Sequence, residues 1–353
     1  ATCGVPGESL VVDEPLQPFS PTLFGAEPRS FDRAALRGAR ALVSPRRGPA
    51  PSRYAVGHLP LSEPVRALER EQLRTFLAHP ARYFLRERAG LTIGDDQGAA
   101  QEIPLELDSL ALWQVGDRVL DRLLRGHGIE EARHAEWLRG DLPPGNLGRR
   151  QLDGVTDTAV RVARDAAPFL EDEPGLHLID LDLDGVRLTG RATTRGDVTL
   201  SVEYSKVAPR HLAQAWVDAL ALTVALERPT DAVLFGGGRR KRLSAPDPDV
   251  ARSVLSTLTY LAVEGQSRVL PLPPRVAQLW AECRARNTDP MADRNRDRFW
   301  SWDRDQVWDA VLPAGARPWD ELVDGEPWAQ RGERTVLGSL AQLIWRPIVR
   351  AER

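Results

Sequence analysis

Residues 200 to 211 read LSVEYSKVAPRH, a short β-prone run that carries one acidic residue and one lysine just ahead of a helix. Residues two apart on a strand share a face, because side chains alternate along it. A carboxylate and a lysine at that spacing, joined by a second carboxylate from the preceding strand, can hold Mg²⁺, activate water and cleave a phosphodiester. In this chain Glu203 shares its face with Ser205, and Lys206 falls one residue late, on the opposite side. The preceding run, GRATT, offers Thr193 where the partner acid belongs. The stretch is therefore expected to present a lone carboxylate. A bulge could re-aim Lys206 but would not restore the missing aspartate.

Other constellations carry less chemistry. IDLDLDG sets Asp180, Asp182 and Asp184 at period two, like the first half of a calcium loop, but the twelfth loop position is Arg191 where a carboxylate is required. A solvent-facing row of aspartates on an edge strand is expected, where such charges discourage edge pairing. FGGGRRKRL lacks the phosphate-loop spacing. Its basic turn, Arg239, Arg240, Lys241 and Arg242, is either a solvated or protein-contacting turn or the chain's contact with DNA phosphate. RDRFWSWDRDQVWDAVLP mixes arginine with tryptophan, as base-stacking surfaces and protein interfaces both do; burial at a subunit contact is the expectation. No histidine pair has metal-ligand spacing, and no Gly-x-Ser-x-Gly elbow occurs.

The elements that must position these residues follow from periodicity. Residues 63–91 read as two short helices kinked at Pro80 and stopped at Gly90. An amphipathic helix follows, with Leu110, Trp113, Val119, Leu120, Leu123 and Leu124 on one face. Two more helices precede a switch to period two, where turn dipeptides at Asp184–Gly185 and Gly196–Asp197 divide a three-strand meander. PRHLAQAWVDALALTVALERP is a largely buried helix, DAVLFGG a short strand, and PDVARSVLSTLTYLAVEGQ a further helix. The expected fold class is mixed α/β, a mixed sheet flanked by helices.

The chain has 353 residues, enough for two domains or one large one, and a net charge of −3 argues against coating DNA by bulk charge. Cys3 and Cys283 are its two cysteines, which excludes a four-cysteine zinc or iron–sulfur site and fits a reducing cytoplasm. No apolar run approaches the roughly 18 residues of a membrane span. The start ATCGVPGES has no initiator Met and no signal-peptide pattern, and is expected to be a cut within a longer polypeptide. Residues 1–62 are proline-dense and read as an extended arm or linker; residues 63–353 read as the folded domain.

PLQPFSPTLF, LRTFLAHPARYFLRERAGL, GDLPPGNLG, DGVRLTGRA and QAWVDALALTVA, in this order, resemble the C-terminal part of the RecC family, the gamma subunits of the RecBCD helicase–nuclease (exodeoxyribonuclease V). The likeness runs through nearly the whole chain. It implies a restriction-endonuclease-like, PD-(D/E)XK fold that has lost its catalytic residues. It also implies that residues 1–62 end an upstream helicase-like region, that RecB-like and RecD-like subunits and duplex or forked DNA are the partners, and that no cofactor is held. By this likeness Glu203 stands at the second carboxylate, Thr193 at the first acid, Ser205 at the lysine and Gln214 at the glutamine of the following helix. Asp218 replaces an aromatic usual four residues later. Related AddB-type nucleases hold an iron–sulfur cluster through a cysteine near the helix kink, where this chain has His79.

The leading expectation is a cytoplasmic, non-catalytic subunit domain of DNA repair and recombination that docks partner subunits and helps split duplex DNA. Two alternatives stand beside it. One is an active nuclease with migrated residues, using Glu203, Lys206 and a carboxylate such as Asp197; the other is a pure protein-interaction module.

Overall fold

The computed structural model describes residues 14–44, 57–94, 107–328 and 332–352. The chain divides into two compact units, Ala1–Pro51 and Ser52–Arg353. The first holds helix α1 (Arg33–Val43), which starts where Asp32 accepts the amides of Ala34 and Ala35 at 2.7 and 3.2 Å. The sequence suggested an extended arm here, but RAALRGARALV is rich in helix formers and brings its own cap.

The second unit opens with strand β1 (Ala67–Glu69), then helices α2 (Arg70–Ala78) and α3 (Pro80–Ala89). The kink at Pro80 is as expected. Proline takes the first position of α3, where no amide donor is needed, and His79 caps it by accepting the Arg82 amide at 3.1 Å. Strand β1 was not foreseen, since three residues carry no readable period. Helices α4 (Ser109–Leu124), α5 (Ile129–Arg139) and α6 (Gly145–Leu170) follow. On α4 the buried stripe runs through Val115, Gly116, Val119 and Leu120, whereas Leu110, expected on it, is 43% exposed. The stripe turns there because the Tyr204 ring lies flat on Gly116: a Cβ at that position would sit 2.1 Å from the ring.

The meander is β2 (Pro174–Leu183), β3 (Val186–Arg195) and β4 (Val198–Glu203). Helix α7 (Pro209–Ala225) returns the chain so that β5 (Asp231–Gly236) lies parallel to β4, from Val198 opposite Asp231 to Glu203 opposite Gly236. The sheet order is β1-β3-β4-β5-β6, with β2 on the outer side of β3. Strands β3 and β4 pair only at Arg195 and Val198 and then part; β1 fills the space at the far end of β3, parallel to it. The aspartates of β2 do face solvent on an edge strand, and Asp180 is held bidentately by Arg187 at 2.6 Å.

The basic run is not a turn. The turn is Gly237–Gly238, and the cations form strand β6 (Arg239–Leu243), antiparallel to β5. Strand pairing supersedes the turn pattern because neighbouring residues there reach partners on opposite faces: Lys241 pairs with Glu352 at 2.7 Å, and Arg242 with Asp231 at 2.7 Å.

Helices α8 (Pro248–Ser267), α9 (Pro274–Ala285), α10 (Arg296–Asp303), α11 (Gln306–Val311) and α12 (Val336–Ala351) complete the unit. Helix α7 is apolar nearly all round and lies central to the main core, between one face of the sheet and α2, α8, α9 and α12. The other face of β4 and β5 is covered by α4 and α6 through Val233, Phe235 and Leu200. The same face of β2 is bare, with Leu176 65% and Leu178 73% exposed. Among the described residues no helix is long and apolar enough to cross a membrane.

Candidate functional site at the carboxyl end of β4

Strand β4 alternates cleanly. Val198, Leu200 and Val202 pack toward α4 and α6, so Ser201 and Glu203 face α7. The Ser201 hydroxyl donates to Glu203 Oε1 at 2.9 Å, and Glu203 Oε2 lies 3.7 Å from Nε2 of His211, in the first turn of α7. His211 is buried, and burial pushes its pKa down; the Glu203 charge pulls it up, while Arg210 and Arg275 push it down again. Its Nδ1 accepts the Ala208 amide at 3.2 Å.

The strand ends at Glu203. The chain then bends, and the Ser205 carbonyl crosses Gly236 so closely that a Cβ there would lie 2.5 Å from it. Ser205 and Lys206 therefore belong to the bend, and the alternation expected to govern them does not reach them. Ser205 is turned to the Lys206 carbonyl at 3.5 Å, and Lys206 is exposed, its stem against Gly237.

Thr193 is exposed on β3, opposite Leu176, between buried Ala192 and Thr194. Ala192 belongs to the core on the α7 side, so Thr193 faces the other side of the sheet from Glu203. Asp197 lies at the opposite end of β4, about 20 Å from Glu203 at the strand rise per residue, and pairs with Arg228 at 2.8 Å. Glu203, Lys206 and Asp197 are thus not one metal site. The carboxyl that does come near Glu203 is Asp117 of α4, which sequence spacing did not indicate. Burial raises its pKa, and the Glu203 charge adds to the rise. Among the described residues no cluster of three or more potential metal ligands forms.

Gln214, one turn along α7 from Arg210, lines a cleft beside this site. Asp218, a further turn on, is 9% exposed and is clasped by both Arg70 and Arg74 of α2. Burial pushes the Asp218 carboxyl up and the two guanidiniums pull against that. A carboxylate thus stands at this position because two arginines from another helix meet it, a pairing invisible in one sequence segment.

On β6, Arg239 is exposed, and Arg240 is exposed with its guanidinium 5.7 Å from the Phe169 ring centroid. Lys241 and Arg242 are committed to their ion pairs. The tryptophan-rich segment is internal only at α11: Trp308 is fully buried, Trp300 is half-buried and packs edge-on against it at 6.1 Å, α10 buries no residue, and Trp302 is half exposed. Burial within the chain replaces the expected burial at a subunit contact for Trp308, because α11 packs on α3 through it.

The family described as RecC C-terminal domain matches residues 65–285. Two similar curated proteins are both called RecBCD enzyme subunit RecC. The one from Mycobacterium tuberculosis is 35% identical over 98% of this chain and 33% of its own length. The one from Mycolicibacterium smegmatis is 34% identical over the same shares. The chain spans about a third of the length of the curated relatives it matches.

Proposed function

This chain belongs to the RecC family, and from that premise we propose that it is a non-catalytic part of a RecBCD-type complex in the repair of DNA breaks. In this role it docks RecB-like and RecD-like subunits, contacts duplex or forked DNA and helps to split it, in the cytoplasm. Its sheet is a restriction-endonuclease-like core kept for shape. The order helix, meander, helix, parallel strand supports that reading, and residues 1–62 would close an upstream helicase-like region.

One observation carries the loss of catalysis. Glu203 is turned to Ser201 and His211, with Thr193 on the other face of the sheet and Lys206 in the bend. A catalytic Mg²⁺ needs oxygen ligands at about 2.0–2.1 Å in near-octahedral array, and Glu203 beside a buried histidine, with Asp117 biased by burial toward its protonated form, is a poor start. Incubated with linear duplex DNA and Mg²⁺ or Mn²⁺, the purified chain should leave the DNA intact. Cleavage that disappears in Glu203→Ala would overturn the proposal.

The contact with DNA is assigned to Arg239 and Arg240, with Lys241 and Arg242 supporting the strand. Binding to a forked duplex should weaken with salt and again in the Arg239→Ala/Arg240→Ala double variant, without loss of fold. Affinity insensitive to both would leave the protein-interaction reading in its place.

A further inference from the structure

The first turns of α3, α7 and α9 converge on a cleft of about 440 Å³ beside His211. Its walls carry four guanidiniums, from Arg82, Arg210, Arg275 and Arg304, together with Gln214 and the half-exposed Trp302. Two carboxyls, Asp303 and Asp305, also line it.

Both carboxyls are already engaged. Asp303 accepts the amides of Arg275 and Val276 at 2.8 and 3.1 Å. Asp305 takes His79 at 3.0 Å, Arg82 at 3.1 Å and the amides of Val307 and Trp308 at 3.0 Å. Arg304 is spent on Asp309 at 2.6 Å. Arg210 has no ion-pair partner among the described residues; its Nε lies 3.1 Å from the His211 ring. Arg275 approaches Asp303 only at 3.7 Å. The cleft therefore holds spare donors and spare positive charge, reinforced by the positive ends of long helices.

We propose that this cleft binds one phosphate-bearing nucleotide unit of a single DNA strand, with Arg210 and Arg275 on the phosphate and Gln214 beside it. The chemistry fits a phosphate, because a guanidinium presents a planar fork of donors to its oxygens. The volume fits one nucleotide and excludes a duplex. The position fits too, since ligands of open sheets with parallel strands sit outside the carboxyl ends of those strands. The inference rests on the proposed contact with DNA for the source of the phosphate.

The test uses the 353-residue chain and a fluorescent single-stranded oligonucleotide, read by anisotropy over a range of salt. In Arg210→Ala, whose side chain is exposed, affinity should fall about tenfold and the salt slope should lose about 0.7, the value for one phosphate of a single strand. Inorganic pyrophosphate should compete in the unmodified chain and lose that ability in the variant. Binding to a blunt duplex should be unchanged, and the thermal midpoint should match the parent. Unchanged single-strand affinity in both Arg210→Ala and Arg210→Glu would overturn the proposal. So would polyglutamate competing as well as pyrophosphate, or pyrophosphate binding without any single-strand binding. Failure of the cleft alone would leave fork binding sensitive to Arg239→Ala/Arg240→Ala, whereas failure of the DNA contact itself would abolish both.

Discussion

Asp303 and Asp305 stand two residues apart and cap different helices, α9 and α11, and their surroundings drive their acidities in opposite directions. Burial raises Asp303 to about 7 against the two amides and Arg275 that favour its charge, with Asp305 adding to the rise. Burial would raise Asp305 as well, but the His79 hydrogen bond and charge, the Trp308 amide and Arg82 outweigh it and bring that carboxyl to about 2.

A carboxyl near 3.8 when unfolded and about 7 when folded binds more protons in the folded state between those values. Stability contributed by this group therefore falls as pH rises from about 4 to 7, and the penalty is complete above 7. Asp303→Asn keeps an oxygen to accept both amides and cannot ionise. Urea midpoints at pH 5 and pH 8 should show the variant gaining on the parent as pH rises. Parallel pH profiles for the two proteins would refute the assignment.

Asp218 joins α7 to α2 through two arginines in a nearly dry setting. Glu71 still reaches both arginines, and their side chains are partly exposed, so losing Asp218 removes two charge-assisted hydrogen bonds without stranding a charge, at a cost of roughly 1.5–3 kcal/mol. Asp218→Ala should lower the denaturation midpoint by that amount with an unchanged m-value, and Asp218→Asn should fall between. A loss below about 1 kcal/mol would mean the arginines find water instead.

Gly116 and Tyr204 make a third test. Alanine in a helix interior gains about 1 kcal/mol over glycine, but here the new methyl would collide with the Tyr204 ring. Overpacking costs about 1–3 kcal/mol, so Gly116→Ala should destabilise. In a Tyr204→Leu background the same change should become neutral or stabilising. Equal effects in both backgrounds would show that the ring does not set the requirement for glycine.

Much of the fold was legible because it rests on local period. The meander, the apolar α7 and the break at Pro80 each follow from spacing alone. What stayed hidden depends on distant partners. Strand β1 is a strand only because β3 offers it an edge, and RRKR is a strand only because β5, Asp231 and Glu352 receive it. In the site, the lack of a partner acid at Thr193 and of a lysine at Ser205 could be read from residue types. The end of the strand at Glu203 could not, since it follows from the crossing of Ser205 over Gly236. The approach of Asp117 needs two elements far apart in sequence to be packed first.

The parting of β3 from β4 has a consequence for how the molecule assembles. Beyond Arg195 and Val198 the inner edge of β3 meets a strand again only at Arg187–Thr189, against β1, a segment far upstream, in a parallel pairing that no tight turn can nucleate. Such non-local pairing closes late in folding. Until it does, β3 offers a free ladder of amides and carbonyls beside the apolar Leu188, a template for another chain. Three residues, Ala67 to Glu69, thus act as the sheet's guard against self-association, and the nascent chain is most vulnerable while they remain undocked.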